Sequence, residues 1–141
     1  MDKDKIVRTA KSWLHTPYHH QAKVKLVGVD CAMLVAAVAE EVYEKPINTP
    51  VYSPEWHLHN RTEMMCELIE SFGCKQINFE EADRGDILTF KFGRVNSHMG
   101  ILVNKREFIH ARLDIGKVVI NQLSGDWMNR LGRAYRFPES L

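Results

Sequence analysis

Long apolar runs are missing from this 141-residue chain. No segment approaches the roughly 18 apolar residues of a membrane span, and Met1-Asp2-Lys3-Asp4-Lys5-Ile6-Val7-Arg8 has no apolar core of signal-peptide length. These two absences predict a soluble protein, synthesised in the cytoplasm without a signal peptide and without membrane insertion. Cysteine is scarce as well. Cys31, Cys66 and Cys74 are odd in number and none stands in a Cys-x-x-Cys spacing, which argues against a disulfide framework or a structural zinc knot. No His-Glu-x-x-His pattern occurs, so His15, His19, His20, His57 and His59 read as surface or loop histidines, and neither metal nor cofactor is expected. Charge of one sign is not in excess either: 19 basic against 18 acidic side chains leave a formal net charge of +1, no footprint for nucleic acid or an anionic membrane. With no repeat, low-complexity stretch or linker to divide them, residues 1–141 read as a single domain.

What is present falls into two halves of different periodicity. Ile6, Val7, Ala10, Trp13 and Leu14 recur at helical spacing until Thr16-Pro17, where the residue before proline is pushed out of the helical region. After a polar loop from His19 to Lys25, Asp30 can cap a second helix running from Cys31 to Tyr43, apolar on nearly all sides and therefore central. Lys45-Pro46 closes it, an extended connection covers Ile47 to Pro54, and a third helix is predicted over Glu55 to Phe72 with Gly73 as its stop. From Lys75 onward Val, Ile, Phe and Thr gather into short runs: Gln76–Phe79, Asp86–Phe92, His98–Asn104, Glu107–Leu113, Lys117–Leu123 and Arg133–Phe137. Arg84-Gly85-Asp86, Asn104-Lys105-Arg106 and Asp114-Ile115-Gly116 supply turns, so most strands should pair antiparallel with their neighbours. Helices first and strands after predict an α+β domain, its N-terminal helices packed on a mostly antiparallel sheet of five or six strands.

Cys31 sits where the loop enters the second helix. Unpaired backbone N–H groups and the helix dipole there favour thiolate over thiol, and the same donors can hold an oxyanion. Taken alone, Cys31 reads first as a small buried hydrophobe, and His98 and His110 each as a hydrogen-bonded strand histidine. The three together carry the chemistry. The two histidines are twelve residues apart with a turn midway. In a regular hairpin opposed residues keep a constant index sum, and the rings share a face only if that sum is even. The connection must therefore hold an odd number of residues or contain a bulge. One imidazole could then take the thiol proton while the other fixes its tautomer.

Thr16-Pro17-Tyr18, Val29-Asp30-Cys31-x-x-Leu34, Arg84-Gly85-Asp86-Ile87-Leu88, Ser97-His98-Met99-Gly100-Ile101 and Ile109-His110-Ala111 resemble, in that order, the signature of the NlpC-type papain-like cysteine peptidases. The likeness spans nearly the whole chain. Tyr52-Ser53-Pro54-Glu55-Trp56-His57, Phe90-Lys91-Phe92-Gly93-Arg94 and Trp127-Met128-Asn129-Arg130 look closest to a phage-borne branch, similar to tail-associated cell-wall peptidases of phages and gene transfer agents. The resemblance implies a papain-like domain that cuts amide bonds of peptidoglycan stem peptides, between D-glutamate and diaminopimelate, with a Cys-His-His triad and no metal. It implies Cys31 as nucleophile, His98 as general base, His110 as orienter, and Tyr18 and Asp30 as substrate-binding residues beside the thiol. Stem peptides are then the partner, phage tail proteins a further one, and a virion tail or delivery to the cell wall the place of action. The chain departs from the family's usual Asp-Cys-Ser-Gly-Leu, having Asp-Cys-Ala-Met-Leu. His20-Gln21 and a longer loop replace the usual Gly-Gly after Tyr18, a change that bears on substrate specificity. Two other readings stay open: a non-catalytic structural component of a phage tail tip, and an acyltransferase with the same triad.

Overall fold

Asp2 opens the first helix by accepting a hydrogen bond from the Lys5 backbone N–H at 3.1 Å. This helix, α1 (Lys3–Lys11), buries Ile6, Val7 and Ala10 on one stripe. It ends earlier than the apolar pattern suggests, and the turn that follows seats Trp13 in the core with its indole N–H donated to Glu41 Oε1 at 3.1 Å. The computed structural model describes residues 2–52 and 63–140. The expected polar loop contributes β1 (Lys23–Val24), which pairs antiparallel with β2 (Gly28–Val29) just beyond it, a ribbon too short to show a period in sequence. Helix α2 (Cys31–Tyr43) has the expected bounds; every residue from Cys31 to Ala39 is buried, and Glu44 ends it in the left-handed conformation. The start expected for the third helix lies outside the described residues; its described part, α3 (Met64–Ser71), buries Met65, Cys66, Leu68 and Ile69.

The second half forms β3 (Lys75–Ile77), β4 (Ile87–Lys91), β5 (Asn96–Leu102), β6 (Glu107–Arg112), β7 (Lys117–Gln122) and β8 (Leu131–Arg136), with a short helix α4 (Gly125–Asn129) before the last strand. Strands β4 to β7 follow one another as neighbours, as the turns required. Strand β8 does not: it inserts between β3 and β4, giving the order β3-β8-β4-β5-β6-β7 with every pairing antiparallel. An ion pair between half-buried Arg136 and buried Asp86 helps fix that insertion, Arg136 donating to both oxygens of Asp86 at 3.0 and 2.9 Å. Asp86 leaves the Arg84-Gly85-Asp86 turn, whose glycine has φ +88°. Helix α4 was not legible in the sequence, being a single turn or so without a side-chain cap.

Alternation along the strands divides the core in two. Ile87, Met99, Ile101 and Ile109 pack with α1, α2 and α3, whereas Leu88, Phe90, Leu102 and Phe108 form a second cluster on the other face, covered in part by Trp127 of α4. Among the described residues, four helices and a six-stranded antiparallel sheet make the expected α+β architecture. No described helix is long and apolar enough to cross a membrane.

Candidate active site

Cys31 is the first residue of α2. Asp30, with extended backbone, caps the helix by accepting the Met33 N–H at 2.9 Å on Oδ1. Its other oxygen accepts the Gln21 N–H at 2.8 Å and the Tyr52 hydroxyl at 2.7 Å, and His20 Nδ1 lies 3.6 Å away. His20 Nε2 in turn contacts the Tyr52 carbonyl oxygen at 2.8 Å, and Gln21 Oε1 accepts the Tyr52 N–H at 3.0 Å. The His20-Gln21 segment that departs from the family pattern is thus what latches the Tyr52 segment over Asp30. Gly28 permits the close approach beneath it, since a Cβ there would meet His19 Cβ at 2.9 Å.

The histidines come from the β5–β6 hairpin. Ile101 opposes Ile109 and Leu102 opposes Phe108, an even index sum; the Val103 N–H bonds to the Glu107 carbonyl, leaving Asn104, Lys105 and Arg106 as an odd-numbered loop. Asn104 Oδ1 holds that loop by accepting the Arg106 and Glu107 N–H groups at 2.8 and 2.9 Å. Both rings therefore project from one face, the aromatic one, and His98 Nε2 lies 2.7 Å from His110 Nδ1. Gly100 makes room: a Cβ at this position would fall 2.9 Å from the Ile109 carbonyl oxygen and 3.1 Å from His110 Cβ. Beyond His110, its Nε2 lies 2.7 Å from Asn121 Oδ1 on β7. Arg112 Nη1 donates to the same oxygen at 3.3 Å while Asp114 holds the rest of the guanidinium. Trp127 stands over the pair, its ring centre 4.8 Å from that of His110 and 5.7 Å from that of His98.

Burial governs the protonation states. It pushes the Cys31 thiol up to about 12, aided by the neighbouring Asp30 charge, while backbone hydrogen bonding from Met99, Ala32 and Cys31 itself acts the other way. The helix-start donors anticipated from the sequence act in the expected direction and are outweighed. Burial also holds His98 well below its ordinary value, with His110 and Arg112 adding to the effect. His110 is lowered to about 4 by burial, partly offset by its bond to Asn121. The phenols of Tyr18 and Tyr52 are both raised, first by burial. The resting site thus pairs a neutral thiol with neutral imidazoles.

Cys31, His98, Tyr18 and Asp30 line one cavity of about 660 Å³, together with Tyr52, Arg112 and Trp127. His110 lies behind His98, fully buried. Of the residues singled out in the sequence, these five are brought together, and His20, read there as a surface or loop histidine, lines the same cavity; His57 and His59 lie outside the described residues. Cys66 and Cys74 are buried thiols away from the cavity. Among the described residues no group of three or more His, Cys, Asp or Glu could hold a metal ion. Sequence reasoning missed Tyr52, Asn121, Arg112 and Trp127 as members of the site. Tyr52 and Trp127 stand in segments that carry the phage-borne likeness, which gives them no site role, and Asn121 and Arg112 are polar positions inside expected strands.

A six-stranded antiparallel sheet with a cysteine-bearing helix against it is the papain-like architecture. The chain belongs to the NlpC/P60 family, whose sequence model matches residues 15–136. Among solved structures it is similar to the NlpC/P60 domain of the peptidoglycan hydrolase SagA, at 21% identity and TM-score 0.70, covering 95% of this chain and 97% of that one. A lipoprotein-like NLP/P60 protein of Staphylococcus aureus superposes with TM-score 0.70 at 21% identity, over 98% of this chain but 42% of that one. The peptidoglycan hydrolase RipB of Mycobacterium tuberculosis gives TM-score 0.59 at 17% identity, over 95% and 63% of the two chains. At such identities these likenesses establish the fold. Among curated proteins nothing matches the chain.

Proposed function

We propose that this protein is a cysteine amidase that hydrolyses amide bonds of peptidoglycan stem peptides, of the D-glutamyl-diaminopimelate type. The observation that carries the reading is the pair His98–His110, bonded at 2.7 Å, in a family whose structural neighbours include peptidoglycan hydrolases, with His98 and Cys31 lining one cavity. Cys31 is the nucleophile, His98 the general base, His110 the orienter, and Tyr18 and Asp30 contact the substrate. As the sulfur attacks the carbonyl carbon, His98 takes the thiol proton; with thiol and imidazole both neutral at rest, transfer accompanies attack rather than preceding it. Negative charge gathers on the carbonyl oxygen near the backbone N–H groups at the start of α2. The C–N bond then breaks, the amine leaves with the proton from His98, and a thioester remains on Cys31. Water, deprotonated by His98, cleaves the thioester to a carboxylate and regenerates the thiol.

We assign the protein to a phage or gene-transfer-agent tail, from which it reaches the cell wall. What supports this is the resemblance of Phe90-Lys91-Phe92-Gly93-Arg94 and Trp127-Met128-Asn129-Arg130 to that branch. Purified protein incubated with defined stem peptides should release fragments with new amine ends, seen by mass spectrometry. Cys31→Ala should release none, and equal release by both proteins would overturn the mechanism.

A further inference from the structure

We infer that Asn121 and Arg112 set the direction of the histidine relay, and so decide which nitrogen of His98 is basic. The argument begins at Arg112, whose guanidinium only donates. Its Nη1 lies 3.3 Å from the Asn121 side-chain oxygen, so the amide must present oxygen, not nitrogen, on this side. That same oxygen is 2.7 Å from His110 Nε2, which must therefore carry hydrogen. A neutral imidazole has one N–H, which leaves His110 Nδ1 with a lone pair. His98 Nε2, 2.7 Å from that lone pair, must in turn be the donor. His98 Nδ1 is then the bare nitrogen and can take a proton from a thiol.

The reverse relay has the same heavy-atom distances and the opposite consequence. Were Asn121 to present its NH₂ group, His110 Nε2 would accept, His110 Nδ1 would donate to His98 Nε2, and His98 Nδ1 would carry hydrogen. A ring in that tautomer has no lone pair for Cys31. Burial keeps both rings neutral, so the tautomer is not averaged by protonation. Asp114 binds Arg112 through Nε at 3.0 Å and Nη2 at 2.5 Å, fixing the guanidinium from the far side. Asn121 and Arg112 are positioning residues that act through His110. The catalytic consequence rests on the hydrolase reading; the tautomer assignment does not.

Long-range ¹⁵N–¹H correlation spectra of histidine-labelled protein at neutral pH read each ring's tautomer directly, without turnover. The wild type should show Nε2–H on both His98 and His110. Asn121→Leu should lose the uniform Nε2–H state, whereas Asn121→Asp, which keeps an accepting oxygen, should retain it. Arg112→Met frees the amide to flip without touching either ring, and should likewise mix the tautomers; it serves if Asn121→Leu does not fold. In hydrolysis assays Asn121→Leu should lower kcat at least about tenfold with KM within about twofold, and Asn121→Asp should restore kcat. Nδ1–H on His110 in the wild type, or an unchanged Nε2–H pattern in both Asn121→Leu and Arg112→Met, would overturn the inference. A wild type that shows the assigned tautomers yet cuts no stem peptide supports the relay and removes the hydrolase reading instead.

Discussion

The guanidinium of Arg130 lies 4.3 Å from the centre of the Phe92 ring, and the same side chain donates to the Lys91 carbonyl at 3.1 Å and to Asp126 at 3.0 Å. One residue thereby ties a short helix without a capping side chain to the end of β4, at the place where Trp127 must lie to cover the histidines.

Replacing Trp127 by Ala should open that cover. Burial is the first cause of the lowered pKa of His98, so removing the indole raises it. A base acts when neutral, and the acid limb of kcat/KM should therefore move to higher pH. Urea denaturation should show a loss of about 2 kcal/mol, below the cost of a fully buried Trp because this indole is only half-buried. An unmoved acid limb would show that the indole does not shield the pair.

Gly100→Ala should disturb the pair from the opposite side. The new methyl would press on the Ile109 carbonyl and the Phe108 ring at 2.9 Å, so β6 must shift. We expect a loss of about 2 kcal/mol by urea denaturation, together with altered ¹⁵N shifts on His110. Wild-type stability in this variant would mean that the strands separate without cost.

Stability should fall as the solution is acidified. His110 is lowered from 6.5 to about 4 in the folded protein, so between these values the unfolded chain binds a proton that the folded one does not. Stability contributed by the neutral ring is complete above 6.5, declines as pH drops below it, and levels off below about 4; the loss amounts to about 3 kcal/mol for this residue. His98, also lowered, adds in the same direction. His110→Gln should flatten part of this dependence in melts followed by circular dichroism.

Iodoacetamide should modify Cys31 ahead of Cys66 and Cys74, because Cys31 alone of the three lines the cavity. With its pKa pushed up to about 12, labelling should accelerate steadily with pH and show no thiolate plateau near neutrality. His98→Ala should slow the Cys31 reaction about tenfold by removing the base. Equal labelling of all three thiols would favour a structural role for the fold over turnover.

Much of this architecture is local, and local features are legible in a chain. Asp30 capping α2, the bounds Cys31–Tyr43, the three-residue Asn104-Lys105-Arg106 loop and the shared face of His98 and His110 follow from cap chemistry, apolar spacing and index parity. The tertiary structure alone decided what meets from far away. It placed β8 between β3 and β4, brought Tyr52 onto Asp30, and set Asn121, Arg112 and Trp127 around the histidine pair. The physical reason is that side-chain hydrogen bonds and burial depend on distances in space, not along the chain. They also reversed the charge expected at Cys31. A helix start favours thiolate wherever it occurs, but how much water the thiol loses is fixed only when the sheet closes against it.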